Sequence, residues 1–332
     1  MKTMTSNERF HALMNFQPVD RLPQTEWAVW WDKTIERWHG EGLPPACTDR
    51  YDICRHFGLD IYHQTWIGEY APGTPWPEHG QPFVRTMQEY EAFLPHLHPW
   101  PCVDVKYWQD VAAQQKRGDI VVWFSFSGPF WFPRQMLGIE PHMFAFYDQP
   151  DLMMRMNEDH LDWHLRILKE MFRYCKPDFM TFAEDMSYNH GPMCSKELFD
   201  RFMAPYYRKI VPLLRDNGVR VFVDTDGDVT DAVAWFWDVG VEGILPLERQ
   251  AGVDVAKFRE RHPKLLMVGA FDKMTMNKGE DVMRAEFERL LPVMRQGGFV
   301  PGCDHQTPPG VSYDQYQTYL RLLREYTVKA AT

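Results

Sequence analysis

Short apolar runs alternate with longer stretches of helical period along the whole chain, a pattern that predicts parallel strands joined by helical crossovers. Eight runs qualify as strands: 23–29, 59–66, 119–126, 177–185, 219–226, 241–248, 264–272 and 298–305. Helical period is plainest over 151–174 and over 195–217, where Ser195 stands at the N-cap position and Gly218 follows the end. Leu198, Phe202, Tyr206 and Ile210 fall at steps of four, so they share one stripe that must face inward. Eight strands and their helices in 332 residues predict a (β/α)8 TIM barrel. Segment 67–118, rich in proline and aromatics, reads as an elaborated loop over the barrel mouth. No repeat, low-complexity tract or composition shift marks a linker, so a single domain over residues 1–332 is expected.

Composition narrows the partners. With 45% hydrophobic and 25% charged residues the chain can bury an ordinary core, which argues against long disorder. Thirty-six basic against 46 acidic residues leave a net charge of −10, so neither nucleic acid nor an anionic membrane surface is an expected partner. No stretch approaches the roughly 20 apolar residues of a membrane helix, and the start lacks a signal peptide's apolar run, so a cytoplasmic location is expected. Six cysteines are scattered with no Cys-x-x-Cys pair, which indicates reduced thiols rather than disulfides or a zinc finger. Thirteen Trp and 22 Phe are the unusual feature, concentrated in 27–38, 98–100 and 121–132. Trp27, Trp30, Trp31, Trp123 and Trp131 are candidate walls of an apolar substrate pocket. Simple core filling is the competing reading for each.

In a barrel of this type, catalytic groups come from the carboxyl ends of the strands. Those ends carry Glu26, Glu184-Asp185, Asp224 to Asp228, Glu248, Asp272, and Cys303-Asp304-His305. Side chains two apart on a strand share a face, which pairs Asp224 with Asp226 and Cys303 with His305. Carboxylates brought that close need a cation or shared protons. One reading is a divalent metal, zinc by preference, held by Asp226, Glu248, Cys303 and His305 with a position open to substrate. The other is metal-free acid/base chemistry through the carboxylates and His305. Against both stand plainer roles: helix capping for Asp228, Asp272 and Asp304, an inert buried thiol for Cys303, and a place in the mouth wall for His305. Gly227 supplies backbone freedom at a tight turn, and His96 and His98 read as loop structure.

Five ordered motifs carry a family resemblance. They are NERFHALMNFQPVDRLP at the start, EDMSYNHGPMCSKELFDRFMAPYYRKIV, VDTDGD, VGVEGILPLE with AGVDV, and the closing GCDHQTPPGVSYDQY. Together they resemble the uroporphyrinogen decarboxylase superfamily over nearly the whole chain. The resemblance implies a (β/α)8 barrel with its active site at the strand carboxyl ends. It also implies one of two chemistries: uroporphyrinogen decarboxylation, or cobamide-dependent methyl transfer with zinc in the barrel mouth. True decarboxylases carry an arginine-rich segment where this chain reads TEWAVWWDK, and a serine where it has Glu184-Asp185; only His305 matches a decarboxylase site position. The methyltransferase branch has His-x-Cys at the end of the fifth strand and a Cys near the eighth. Asp224 and Asp226 replace the first two here, and Cys303 matches the last. Carboxylate, imidazole and one thiolate still form an acceptable zinc set.

The resemblance therefore implies, nearer to the methyltransferase branch, demethylation of a small methoxylated or N-methylated substrate, partly aromatic or apolar. The methyl group would pass to a corrinoid supplied by a partner protein, since the chain has no candidate corrinoid module. Asp226, His305 and Glu184 would be catalytic, and Asp224 would position substrate between the tryptophan walls. A homodimer is a further expectation. The alternatives are a decarboxylase or lyase on a small acid, and a non-catalytic tetrapyrrole- or corrinoid-binding barrel.

Overall fold

The computed structural model describes residues 3–331. Its strands are β1 (Ile61–Trp66), β2 (Ile120–Ser127), β3 (Phe179–Ala183), a short hairpin of β4 (Ser187–Tyr188) and β5 (Gly191–Pro192), β6 (Arg220–Asp224), β7 (Gly243–Leu245), β8 (Leu266–Phe271) and β9 (Phe299–Cys303). Helices α1 (Ser6–Met14), α2 (Asp32–Glu41) and α3 (Arg50–His56) precede β1, while α4 (Met87–Phe93) and α5 (Val105–Arg117) lead to β2. Then come α6 (Trp131–Leu137), α7 (Ile139–Asp148) and α8 (Pro150–Met171), followed by α9 (Lys196–Leu198) and α10 (Ala204–Asp216). The last are α11 (Ala232–Asp238), α12 (Val255–Arg261), α13 (Glu280–Met294) and α14 (Tyr313–Ala331). Among the described residues, seven strands pair in parallel in the order β1-β2-β3-β6-β7-β8-β9. No described helix is long and apolar enough to cross a membrane.

Seven of the eight predicted runs are thus barrel strands. The eighth, 23–29, is not a strand; it is an irregular extended segment in the gap between β9 and β1. Gln24 exchanges two bonds of 2.8 Å with Asp60, its carbonyl accepting the Asp60 N–H and its own N–H going to Asp60 Oδ2. On the other side, the Cys303 N–H that a strand neighbour would take is accepted by the Glu26 carboxylate at 3.1 Å. Thr25, Glu26 and Trp27 are all buried in succession, so the segment lacks the alternation that a ladder register requires. The architecture is a (β/α)8 barrel whose first strand position is held by side-chain bonds.

Inside the barrel, parity sets the layers. Tyr62, Val121, Phe179 and Phe222 project inward near the amino end, and Phe10 of α1 closes that end, with its ring 5.7 Å from Tyr62 and 5.2 Å from Phe179. Trp123 stacks on Phe179 at 5.1 Å, and Phe222 meets Phe179 edge-on at 5.5 Å. Gly243 on β7 leaves the room that Phe222 fills, because a Cβ there would lie 2.2 Å from its ring. The residues of opposite parity, such as Val122, Phe124, Met180, Phe182, Val221 and Val223, pack outward under the helices.

The predicted helix 195–217 is present but interrupted. Ser195 caps it by accepting the Leu198 N–H at 3.2 Å, and the stripe Leu198, Phe202, Tyr206 and Ile210 is buried. Between α9 and α10 the turn Phe199–Met203 widens to π geometry. Pro205, which has no N–H to return to the preceding turn, follows directly. In segment 67–118, α5 is the crossover helix packed on β2. The remainder lies along α6 and α8 at the rim: Phe83 N–H reaches Met136 O at 2.9 Å, and Trp163 Nε1 reaches Pro99 O at 3.0 Å.

Trp30 belongs to the core rather than to a pocket, packed among Trp38, Phe57 and Tyr316 at ring distances of 6.3, 6.5 and 6.0 Å. Trp30→Ala should cost about 3–5 kcal/mol of stability, seen as a lower urea midpoint, and leave ligand affinity of the folded fraction unchanged. Lost affinity at an unchanged midpoint would contradict this placement.

Candidate active site at the barrel mouth

Above the aromatic layers the barrel opens into a cavity of about 430 Å³. Its floor is a polar chain: Arg50 Nη1 donates to Gln64 Oε1 at 2.9 Å, Gln64 Nε2 to Ser125 Oγ at 2.9 Å, and Ser125 and Thr181 share a bond of 2.7 Å. Trp123 Nε1 completes it, donating to Thr181 Oγ1 at 3.0 Å. Trp27, Trp66, Trp123 and Trp131 form the walls, and Asp185, Asp224, Asp226 and His305 supply the acidic side. Asp224 is the inward residue at the end of β6; Asp226 follows in the turn closed by Gly227, whose φ of +82° and contacts to the Ser187–Tyr188 backbone leave no room for a Cβ. The Gly227 reading therefore holds.

Asp226, Glu248 and His305 offer ligand atoms that all lie within 4.8 Å of one another. His305 Nε2 is 3.6 Å from Asp226 Oδ2, and Lys273 Nζ is 3.3 Å from Glu248 Oε1. Burial, followed by repulsion from Glu248 and Asp185, pushes Asp226 up to about 7. Asp224 is raised well above the carboxylate range by burial and then by Asp226 and Asp185. Burial also lowers His305, with Lys273 adding to the effect. Two carboxylates and an imidazole, half-buried and convergent, form a donor set that fits a divalent ion such as zinc. In metal-free protein Asp226, pushed up to about 7, can hold a proton beside His305.

Several expected site residues lie elsewhere. Cys303 is not among the metal donors: β9 ends at Cys303, the chain bends at Asp304, and the shared-face rule no longer applies to His305. The thiol is buried in the core near Glu26, and burial pushes it well above its ordinary range. Glu184 does not face the cavity. It sits fully buried beneath Gly128, accepting the Phe130 N–H at 2.9 Å, the Trp131 N–H at 3.1 Å and the Tyr207 hydroxyl. It secures the start of α6 rather than acting on a substrate. Trp31, 47% exposed, precedes α2 outside the cavity lining, and Trp30 is in the core. Capping holds for Asp272, which accepts Met274 N–H at 2.9 Å, and for Asp304, which accepts the Arg249 and Lys273 N–H groups at 3.0 and 3.1 Å; Asp228 instead accepts Thr230 N–H at 3.0 Å in the turn before α11 and caps no helix.

Arg50, Gln64 and Trp66 of the lining escaped the sequence reading, and Asp185 appeared there only as a strand-end acid without a role. Gln64 and Trp66 follow Tyr62 at steps of two on β1, so strand parity was the available signal. Asp185 has a φ of +42°, which turns it toward the cavity immediately after the buried Glu184. Arg50 comes from α3 and carries no sequence signal. It is fixed by bonds to Glu26 O at 3.0 Å and Trp27 O at 2.7 Å, with its guanidinium 5.7 Å from the Trp123 ring centre.

These features define a barrel with an aromatic and acidic cavity at the carboxyl ends of its strands. The profile of the uroporphyrinogen decarboxylase (URO-D) family matches residues 75–326, and the chain belongs to that family. Among solved structures it is similar to a methyltransferase from Methanosarcina mazei, with a TM-score of 0.63 and 16% identity over 97% of this chain and 99% of that one. A B12-independent methionine synthase from Shewanella sp. W3-18-1 in complex with selenomethionine is more distant, with a TM-score of 0.41 and 12% identity over 68% and 67%. No curated protein matches the chain.

Glu26, Glu69 and Glu184 are each pushed up to about 7, chiefly by burial, from an ordinary 4.5. A raised carboxyl contributes stability that is complete below the unfolded value and is lost as pH rises through the folded one. The urea midpoint should therefore fall from about pH 6 to about pH 8, and Glu184→Gln, uncharged throughout, should fall less. A midpoint that rises across this window in the wild type would contradict the assignment.

Proposed function

We propose that this URO-D family barrel is a methyltransferase that removes a methyl group from a small methoxylated or N-methylated compound and passes it to the corrinoid of a separate protein. The observation that carries the reading is the cavity, where Trp27, Trp66, Trp123 and Trp131 surround a space bordered by the convergent Asp226, Glu248 and His305. Family membership and the shared fold with the Methanosarcina methyltransferase support it. Uroporphyrinogen is disfavoured as substrate, because its many carboxylates would meet Asp185, Asp224 and Asp226, with Arg50 the one Arg or Lys among the described lining residues.

In this reading the carbon–heteroatom bond breaks with its electron pair staying on oxygen or nitrogen, and the methyl group goes to the reduced cobalt. Zinc, held by Asp226, Glu248 and His305, would supply Lewis acidity toward that heteroatom. Where no metal is bound, Asp226, pushed up to about 7, would hold the proton that a leaving oxygen requires, with His305 3.6 Å away as its exchange partner. The tryptophan walls desolvate the methyl-bearing group and keep competing water out. Asp185 and Asp224 orient the substrate from the acidic side.

The test follows the cobalt spectrum of reduced cobalamin incubated with the protein and a panel of methoxylated and N-methylated compounds. Methylcobalamin should form only with both protein and substrate present, and the rate should drop after chelation and return with added zinc. Carbon dioxide release from a small acid without cobalt methylation, or tight tetrapyrrole binding without turnover, would overturn the reading.

A further inference from the structure

The cavity is bipolar. On one side Arg50 spends three of its five donors on Gln64 Oε1, Glu26 O and Trp27 O, which leaves two for a ligand in a cavity that it lines. On the other side Asp185 and Asp224 line the same space. Among the described residues, neither a backbone nor a side-chain donor reaches the Asp224 carboxylate, and no ion pair joins it to a base. The two sides do not neutralise each other across the cavity. The charged neighbour of Arg50 is Glu26, whereas Asp224 faces Asp226 and Asp185. The rings of Trp27, Trp66 and Trp131 line the same cavity.

From this arrangement we infer that the substrate is a small zwitterion, an N-methylated amino acid or betaine, with its carboxylate on Arg50 and its methylated ammonium between the tryptophan rings and Asp185 and Asp224. The inference rests on the methyl-transfer reading and narrows its substrate class. A neutral methoxyarene would leave the carboxyl groups of Asp185 and Asp224 without a hydrogen-bonding or charged partner, and a simple cation would leave Arg50 unanswered; each omission carries a desolvation cost. A methylated ammonium is attracted to ring faces and to carboxylates together, and cannot be replaced by an uncharged isostere of the same shape. A carboxylate on a guanidinium held at fixed orientation gains charge-assisted bonds with little ordering cost. Loss of a methyl group from a betaine would break the C–N bond, leave its electron pair on nitrogen and give a neutral tertiary amine that needs neither a metal nor a proton at nitrogen, with the reduced corrinoid as methyl acceptor.

Calorimetric titration of the wild-type protein at one ionic strength tests this with four probes. They are glycine betaine, choline (which lacks the carboxylate), 3,3-dimethylbutyrate (which lacks the positive charge) and 4-methoxybenzoate. Glycine betaine should bind at least about tenfold tighter than each of the others, as one desolvated cation–ring or charge-assisted contact implies. Arg50→Gln should remove its advantage over choline, and Asp224→Asn its advantage over 3,3-dimethylbutyrate; should either variant fail to fold, the wild-type series still decides. Equal binding of 3,3-dimethylbutyrate or of choline would overturn the inference. Tight betaine binding without methyl transfer to reduced cobalamin would overturn the proposed function and leave the binding site standing. Demethylation of 4-methoxybenzoate with no preference for the zwitterion would do the reverse.

Discussion

The packing of aromatic rings inside the barrel sets everything above it. Phe10, Tyr62, Phe179, Phe222 and Trp123 fill the amino-terminal half of the interior in edge-on and stacked contacts of 5.1 to 5.7 Å. The cavity begins above these rings, with Trp123, Gln64 and Asp224 in its lining and the Ser125–Thr181 bond buried beneath it. Each of those positions follows an aromatic or apolar one by two residues on the same strand, and the strand period converts a sequence alternation into a floor and a mouth. Gly243 is the complement of this packing, since the missing side chain on β7 is what admits the Phe222 ring.

Much of this was legible because strand parity and helix period are local. Seven strands, the long helix Pro150–Met171 and the buried stripe from Leu198 to Ile210 follow from apolar spacing, and the acidic strand ends follow from where those strands stop. The failures arise where the chain leaves regular geometry. Segment 23–29 reads as a strand, but Thr25, Glu26 and Trp27 are buried in succession and the Glu26 carboxylate takes a ladder bond. Cys303 and His305 part company at the bend after β9, and Glu184 and Asp185 exchange the expected roles through a positive φ. Arg50 was beyond sequence reasoning, because its place in the cavity depends on how α3 docks beside β1.

The electrostatics of the mouth follow from crowding acids in a poorly hydrated space. Asp224 is raised by burial and by Asp226 and Asp185, Asp226 by burial and by Glu248 and Asp185, while His305 is lowered by burial and by Lys273. Asp226 and His305, displaced in opposite directions and 3.6 Å apart, suit either proton exchange or shared coordination of one ion. With tryptophan rings lining the same cavity, charge developing on a leaving atom would, in the proposed function, be answered by these fixed groups.

The central claim is that Asp226, at the acidic edge of the cavity, takes part in breaking the bond to methyl. The rate of cobalamin methylation by Asp226→Asn at saturating substrate tests it most directly. The account predicts a fall in kcat of roughly 100-fold or more with an unchanged melting temperature. A folded variant that keeps the wild-type kcat would contradict it.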